Sequence, residues 1–204
     1  MAMKEIPIYL DLISNTLRHP VIGQTQRESL GQSILTEFRN KIDSVIDRYA
    51  SLPQVMVQHG EYVKLLIEAR QLFIFGYYYS CIAMCGIVVE RIIKDALSLH
   101  IRISLNQKTF SPPRNALKKL EFISIRTIYK FLIEAGVIAK EVKKSLDKLI
   151  DLRNHYVHAK GEGHEKDART AIELLHKIIE GTVSIFKDYE IQNGMLTMKK
   201  NKTH

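Results

Sequence analysis

Apolar residues recur along this chain at helical spacing, and no other feature limits the fold as much. From Arg27 to Tyr49 the stripe is Leu30, Ile34, Leu35, Phe38, Ile42, Val45, Ile46 and Tyr49, one face of a 3.6-residue period. Thr25 and Glu28 read as a capping box ahead of it, and Ser51-Leu52-Pro53 ends it. A long pattern from Tyr62 to about Leu99 holds Gly76 mid-way, a kink or a close helix crossing. Residues 104–113 read as a loop closed by Ser111-Pro112-Pro113. Ala116 to Glu134 then supplies one or two short helices ended by Gly136. Ile138 to His158 is a further helix, with Ile138, Val142, Leu146, Leu149 and Ile150 inward, and Gly161-Glu162-Gly163 breaks it. Ala168, Ala171, Ile172, Leu175, Ile178, Ile179, Thr182 and Phe186 form the last core-facing stripe. Asn193-Gly194, between two short alternating runs, predicts a two-residue β-hairpin. The expected fold is therefore all-α. A helical extension over residues 1–60 packs on a helical bundle over 61–187, and a β-hairpin with a basic tail follows over 188–204.

A chain of 204 residues, 46% of them hydrophobic, fits one globular domain. It buries roughly 70% of its unfolded surface without a metal or disulfide. The net charge of +8 favours polyanionic partners, nucleic acid first and an anionic membrane surface second. Cys81 and Cys85 lie four apart in an apolar run, a spacing for packing rather than pairing, and two apolar thiols point to a reducing, cytoplasmic compartment. The first residues carry Glu5 and Asp11 and have no clean apolar segment, so no signal peptide is expected. Leu72 to Val89 lacks charge and just reaches membrane-spanning length. Gly76, Tyr77, Tyr78, Tyr79, Ser80 and Gly86 inside it, and Glu90, Arg91 and Lys94 after it, read instead as a buried helix.

Chemistry concentrates at Arg153-Asn154-His155-Tyr156-Val157-His158, ahead of the glycine break. Arg153 continues the stripe Leu146, Ile150, Arg153, Val157, and a cation that cannot shed its proton requires a carboxylate, carbonyls or a phosphate. Glu90 is the candidate structural partner. Histidine titrates near neutrality, so His158, one turn after Asn154, suits general acid–base work. A solvated loop histidine is the plain alternative. His155, His158 and His164 with Asp151 and Glu162 form a candidate metal cluster, but they cannot all face one point and match no recognised zinc spacing. Tyr77, Tyr78 and Tyr79 point in three directions on a helix, so they form no single stacking platform and suit packing. Lys118-Lys119 and Lys143-Lys144 read as solvated faces.

A helical bundle with Arg153-Asn154, three residues, then His158 at the end of a core helix resembles the HEPN superfamily (higher eukaryotes and prokaryotes nucleotide-binding domains). Its motif is an arginine, four to six residues, then a histidine, often with a polar residue straight after the arginine. The stretch ARQLFIFGYYYSCIAMCGIVVERIIKDAL resembles the paired-helix segment of that family, and Glu90 matches its late glutamate. The likeness spans about Tyr62 to Phe186. Arg169 with His176 also satisfies the bare spacing, but lies mid-helix and is followed by Thr170. The resemblance implies a metal-independent endoribonuclease without cofactor, working as a homodimer on RNA in toxin–antitoxin, phage-defence or RNA-processing systems, where an antitoxin or another regulatory protein is a partner. It gives His158 the acid–base role, Arg153 charge stabilisation on the scissile phosphate, and Asn154 its positioning, with Glu90, His155 and Tyr156 in support. It equally implies a non-catalytic alternative, a module binding RNA, a nucleotide or a protein.

Overall fold

The structure is a computed structural model that describes residues 22–55, 57, 60–105, 107–119, 122–158, 163–182, 189–192 and 195–198. The chain divides into two units, residues 1–47 and 48–204. Helix α1, Ile22–Ala50, runs through the division. Thr25 lies inside it, because Ile22, Gly23 and Gln24 already continue the helical turn, so the capping-box reading does not mark its start. The periodic residues Ile34, Leu35, Phe38, Ile42 and Ile46 are exposed. The helix stops where expected. The Leu52 amide donates to Tyr49 O at 3.2 Å, the Ser51 hydroxyl donates to Arg48 O at 2.8 Å, and Pro53 has no amide to continue the ladder.

The second unit opens at Arg48, ahead of the boundary at residue 60 that the periodicity suggests. Arg48 Nε donates to Ile74 O at 2.7 Å, Arg70 donates to Pro53 O at 3.0 Å, and Leu52, Val55 and Val57 pack on the core. Helix α2, Glu61–Ile74, is followed by α3, Tyr78–His100. The long pattern is thus two helices folded back on each other, not one kinked rod. Gly76 sits at φ +83, and its amide donates to Phe73 O while the Tyr77 amide donates to Leu72 O. This pair of bonds closes a helix over a left-handed residue, a conformation glycine adopts without steric cost. The same turn interrupts the apolar run 72–89. Among the described residues no helix is long and apolar enough to cross a membrane.

Helix α3 is the centre of the bundle. Cys81, Ile82, Cys85, Val88, Val89, Ile92 and Ile93 along it are at most 1% exposed. Each large aliphatic side chain buried this way contributes about 1.5–3 kcal/mol. A hydrogen bond donated to its neighbour Cys81, and then burial, hold the Cys85 thiol well above its ordinary pKa. After α3 comes a short hairpin, β1 Ile103–Leu105 with β2 Lys108–Phe110, where a loop was expected. Strands of three residues are too short to show a period, and the turn uses Gln107 at φ +61, which is not a typical turn residue. Helices α4, Arg114–Lys119, and α5, Ile125–Glu134, follow. Gly136 at φ +72 closes α5 with the bond pattern seen at Gly76, through Gly136 N to Ile133 O and Val137 N to Leu132 O.

A 3-10 turn, Lys140–Val142, leads into α6, Lys143–Val157, and α7 spans Glu165–Thr182. Ile138, Val142, Leu146, Leu149 and Ile150 are buried, as are Ala168, Ala171, Ile172, Leu175, Ile178 and Ile179, so the inward stripes are as read up to Ile150 and Ile179, while Thr182 is only half-buried. Phe186 lies outside the described residues. Helices α2, α5, α6 and α7 surround α3. Tyr78 at the start of α3 bonds Glu165 at the start of α7, so these two helices run the same way. Tyr79 bonds the far end of α6, which therefore runs against them. At the C-terminus β3, Tyr189–Gln192, pairs antiparallel with β4, Met195–Met198, and Gln192 faces Met195 across a two-residue connection, the hairpin expected from Asn193-Gly194.

Tyr129 ties α5 to α6 by donating its hydroxyl to Asp147. Burial, then this bond, pushes its phenol up to about 12. A group whose pKa is raised on folding favours the native state below its unfolded pKa, and that contribution is lost as pH rises through the folded value. The expected outcome is a loss of stability between about pH 10 and 12 that is blunted in Tyr129→Phe, checked by urea melts across the alkaline range.

Candidate active site

Helix α6 brings Arg153 to the surface rather than into the core. Leu146, Leu149 and Ile150 are buried, but one turn on Arg153 keeps 32% of its side chain exposed, and Val157 is exposed. Val157 does not continue the inward stripe, and Arg153 continues it only with its aliphatic stem, for which Gly86 on α3 supplies the reason. A Cβ built there would stand 2.4 Å from Arg153 Cγ and 3.1 Å from its Cβ. The missing side chain lets the aliphatic stem of Arg153 lie across α3, while its charged head reaches solvent at the edge of the contact.

The guanidinium then finds two partners. Nη1 donates to Asn154 Oδ1 at 3.1 Å, and Nη2 stands 3.7 Å from Glu90 Oε2, one turn after Gly86 on the same face. Glu90 also receives Lys94 Nζ at 2.8 Å, so its charge is shared. Asn154 therefore acts first on the arginine. An arginine has five N–H donors, so these contacts leave part of the fork for another acceptor.

His158 caps α6, its amide donating to Asn154 O at 3.1 Å. Its side chain is exposed and makes no hydrogen bond or ion pair among the described residues. Glu90, Arg153 and Asn154 are thus brought together, with the His158 side chain one turn further along and sharing no hydrogen bond or ion pair with theirs among the described residues. His155 is exposed and meets Tyr156 edge-on at 5.9 Å, away from this group. Tyr156 is interior, fully buried. Its hydroxyl donates to Asp167 Oδ2 at 2.6 Å, and burial, then that bond, raises its pKa. It supports the helix end rather than the surface chemistry.

Two further phenols hold the segments that flank residues 159–162. Tyr79 donates its hydroxyl to Tyr156 O and packs edge-on against the Tyr156 ring at 5.5 Å. Tyr78 donates to Glu165 Oε2 at 2.7 Å, and Arg169 donates to Glu165 Oε1 at 3.0 Å. The Tyr78 bond, with Arg169 beside it, holds the Glu165 carboxyl below its ordinary pKa. Arg169 also lies over the Phe73 ring at 5.4 Å, and His176 pairs with Glu180 at 3.3 Å, so the second arginine–histidine spacing is engaged along its own helix. Asp151 is paired with Arg126. No cluster of three or more metal-ligating side chains forms among the described residues, and Glu162 lies outside them. Gly86 enters the sequence reading only as a residue that speaks against a membrane span, not as part of the site. Its signal was a glycine in a helix interior, where it costs about 1 kcal/mol against alanine, four residues before Glu90.

Residues 67–201 match the family described as Domain of unknown function (DUF4145). The chain belongs to that family. The match takes in the α3–α6 crossing and the C-terminal hairpin, so the DUF4145 region runs beyond the bundle into the strands. No curated protein and no solved structure matches the chain.

Alanine at an ordinary helix-interior glycine stabilises by about 1 kcal/mol, whereas overpacking costs about 1–3 kcal/mol. Gly86→Ala is therefore expected to destabilise the native chain yet stabilise Arg153→Ala, where the stem is gone. Urea denaturation of the four variants of this double-mutant cycle checks the change of sign.

Proposed function

We propose that this DUF4145 protein is a metal-independent endoribonuclease of the HEPN type, working as a homodimer in a toxin, phage-defence or RNA-processing role. The observation that carries the reading is the surfacing of the motif arginine. Arg153 crosses Gly86 to a solvent-exposed edge, oriented by Asn154, with the exposed imidazole of His158 at the end of the same helix. In this reading a ribose 2′-oxygen attacks its adjoining phosphorus and the bond to the 5′-oxygen breaks. His158 takes the 2′ proton or supplies one to the leaving oxygen, and Arg153 stabilises the charge on the phosphate. The products are a 2′,3′-cyclic phosphate and a 5′-hydroxyl. One histidine per chain does not fill both proton-transfer roles at once, and pairing two copies across a two-fold axis supplies the second.

Glu90 beside Arg153 favours a second reading, a non-catalytic module that binds RNA, a nucleotide or a protein partner. The two separate on the chemistry. Incubated with mixed RNAs in EDTA, the wild type is expected to cleave, and His158→Ala to lower the rate by about 10²–10⁴-fold. Arg153→Ala is expected to lose about 10²–10³-fold, with the two losses not multiplying because both groups serve one transition state. His155→Ala is expected to lose far less. Cleavage that survives His158→Ala, or that stops in EDTA, would contradict the mechanism.

Assembly gives an independent measurement. Light scattering at tens of micromolar, a concentration that populates dimers with Kd of about 1 μM, is expected to return twice the chain mass. A monomer under those conditions counts against the paired site.

A further inference from the structure

We propose that the surface between α3 and α6 takes single-stranded RNA, with one base stacked on the ring of Tyr79 while a neighbouring phosphate meets Arg153. This names the substrate class and a specificity-determining residue for the ribonuclease reading, and rests on it. Tyr79 is 41% exposed although its hydroxyl is engaged by Tyr156 O and its ring is held edge-on against Tyr156 at 5.5 Å and 70°. A surface tyrosine usually moves freely. This one is held by its hydroxyl and by its near-perpendicular contact with the Tyr156 ring, so a ligand meets it without the entropy cost of ordering it. Tyr78 turns to Glu165 instead, so the three consecutive tyrosines do not act together, and Tyr79 alone combines exposure with anchoring at the α6 end that carries His158.

Its place on the helix fits the phosphate site. Tyr79 and Gly86 are seven residues apart on α3, two turns and about 10 Å along the same face. Arg153 lies over Gly86, and the exposed Ile87 adjoins it. A base on Tyr79 and a nearby phosphate of the same strand span that interval. Stacking requires an unpaired base, which excludes a duplex. It reads no base edge, so sequence preference is expected to be weak.

The test is fluorescence anisotropy with a labelled 2′-O-methyl RNA of about ten nucleotides, within the usual range of single-strand sites, which cannot be cut through its 2′ position. Tyr79→Phe, which keeps the ring but loses the hydroxyl anchor, is expected to weaken binding far less than Tyr79→Leu, which is expected to bind about 5- to 150-fold more weakly, the equivalent of one lost stacking contact. Equal binding by Tyr79→Leu and wild type, with Arg153→Ala weakened, overturns the stacking proposal and leaves the ribonuclease reading standing. Equal weakening of the Phe and Leu variants also overturns it, since the hydroxyl rather than the ring would then matter. A duplex of the same sequence bound as tightly overturns the substrate class, and no binding by the wild type overturns both readings. Should the leucine variant fail to fold, Tyr79→Trp serves. The chain has no other tryptophan, so its emission is expected to change on adding the oligonucleotide, and an unchanged spectrum refutes stacking.

Discussion

The bundle depends on covering the apolar faces of α3. Seven of its side chains are essentially inaccessible, and a helix that is apolar around most of its circumference has no stable place at a surface. Helices α2, α5, α6 and α7 each contribute a stripe to that cover. The turn at Gly76 and the closure at Gly136 bring two of those stripes back onto it. The candidate site lies at a gap in one of those faces. At Gly86 the α3 surface lacks a side chain, and the neighbour laid over it is an arginine stem rather than a hydrocarbon knob.

That crossing decides the electrostatics of Arg153. An interior cation would need a close, fully bonded carboxylate, because an unpaired buried charge costs several kcal/mol. Arg153 instead keeps a third of its side chain in solvent and meets Glu90 only at 3.7 Å, and exposed pairs of this kind contribute about 0–1 kcal/mol. Glu90 is divided between Arg153 and Lys94. The contact orients the guanidinium without committing it, which a phosphate ligand could exploit through a bidentate bond.

Helix positions and core stripes of the second unit were legible in the sequence because burial imposes the period directly, whereas the equally regular stripe of α1 is exposed. Leu146, Leu149, Ile150 and the α7 residues from Ala168 to Ile179 are buried as the spacing requires, and Asn193-Gly194 announced the terminal hairpin. The period could not tell one kinked helix from two folded back, since residues before and after Gly76 keep the same apolar content. It could not find β1 and β2, which are three residues each. At the site, Arg153, Asn154 and Glu90 were legible as types. The direction of Arg153 depended on an absent side chain on another helix, and a local pattern does not record what is missing across a contact. Tyr156 and Tyr79 were likewise separated by tertiary hydrogen bonds, one inward to Asp167 and one onto a helix end.

The paired thiols of α3 carry a consequence for the molecule in solution. Cys81 and Cys85 are both inaccessible, and Cys85 is held in its protonated form by its neighbour and by burial. Only the thiolate attacks an alkylating reagent. The native chain is therefore inert to one until the central helix comes free of its cover. Labelling then becomes a clock for opening of the core. Its rate at saturating reagent counts how often the bundle parts, without any probe being added to the chain.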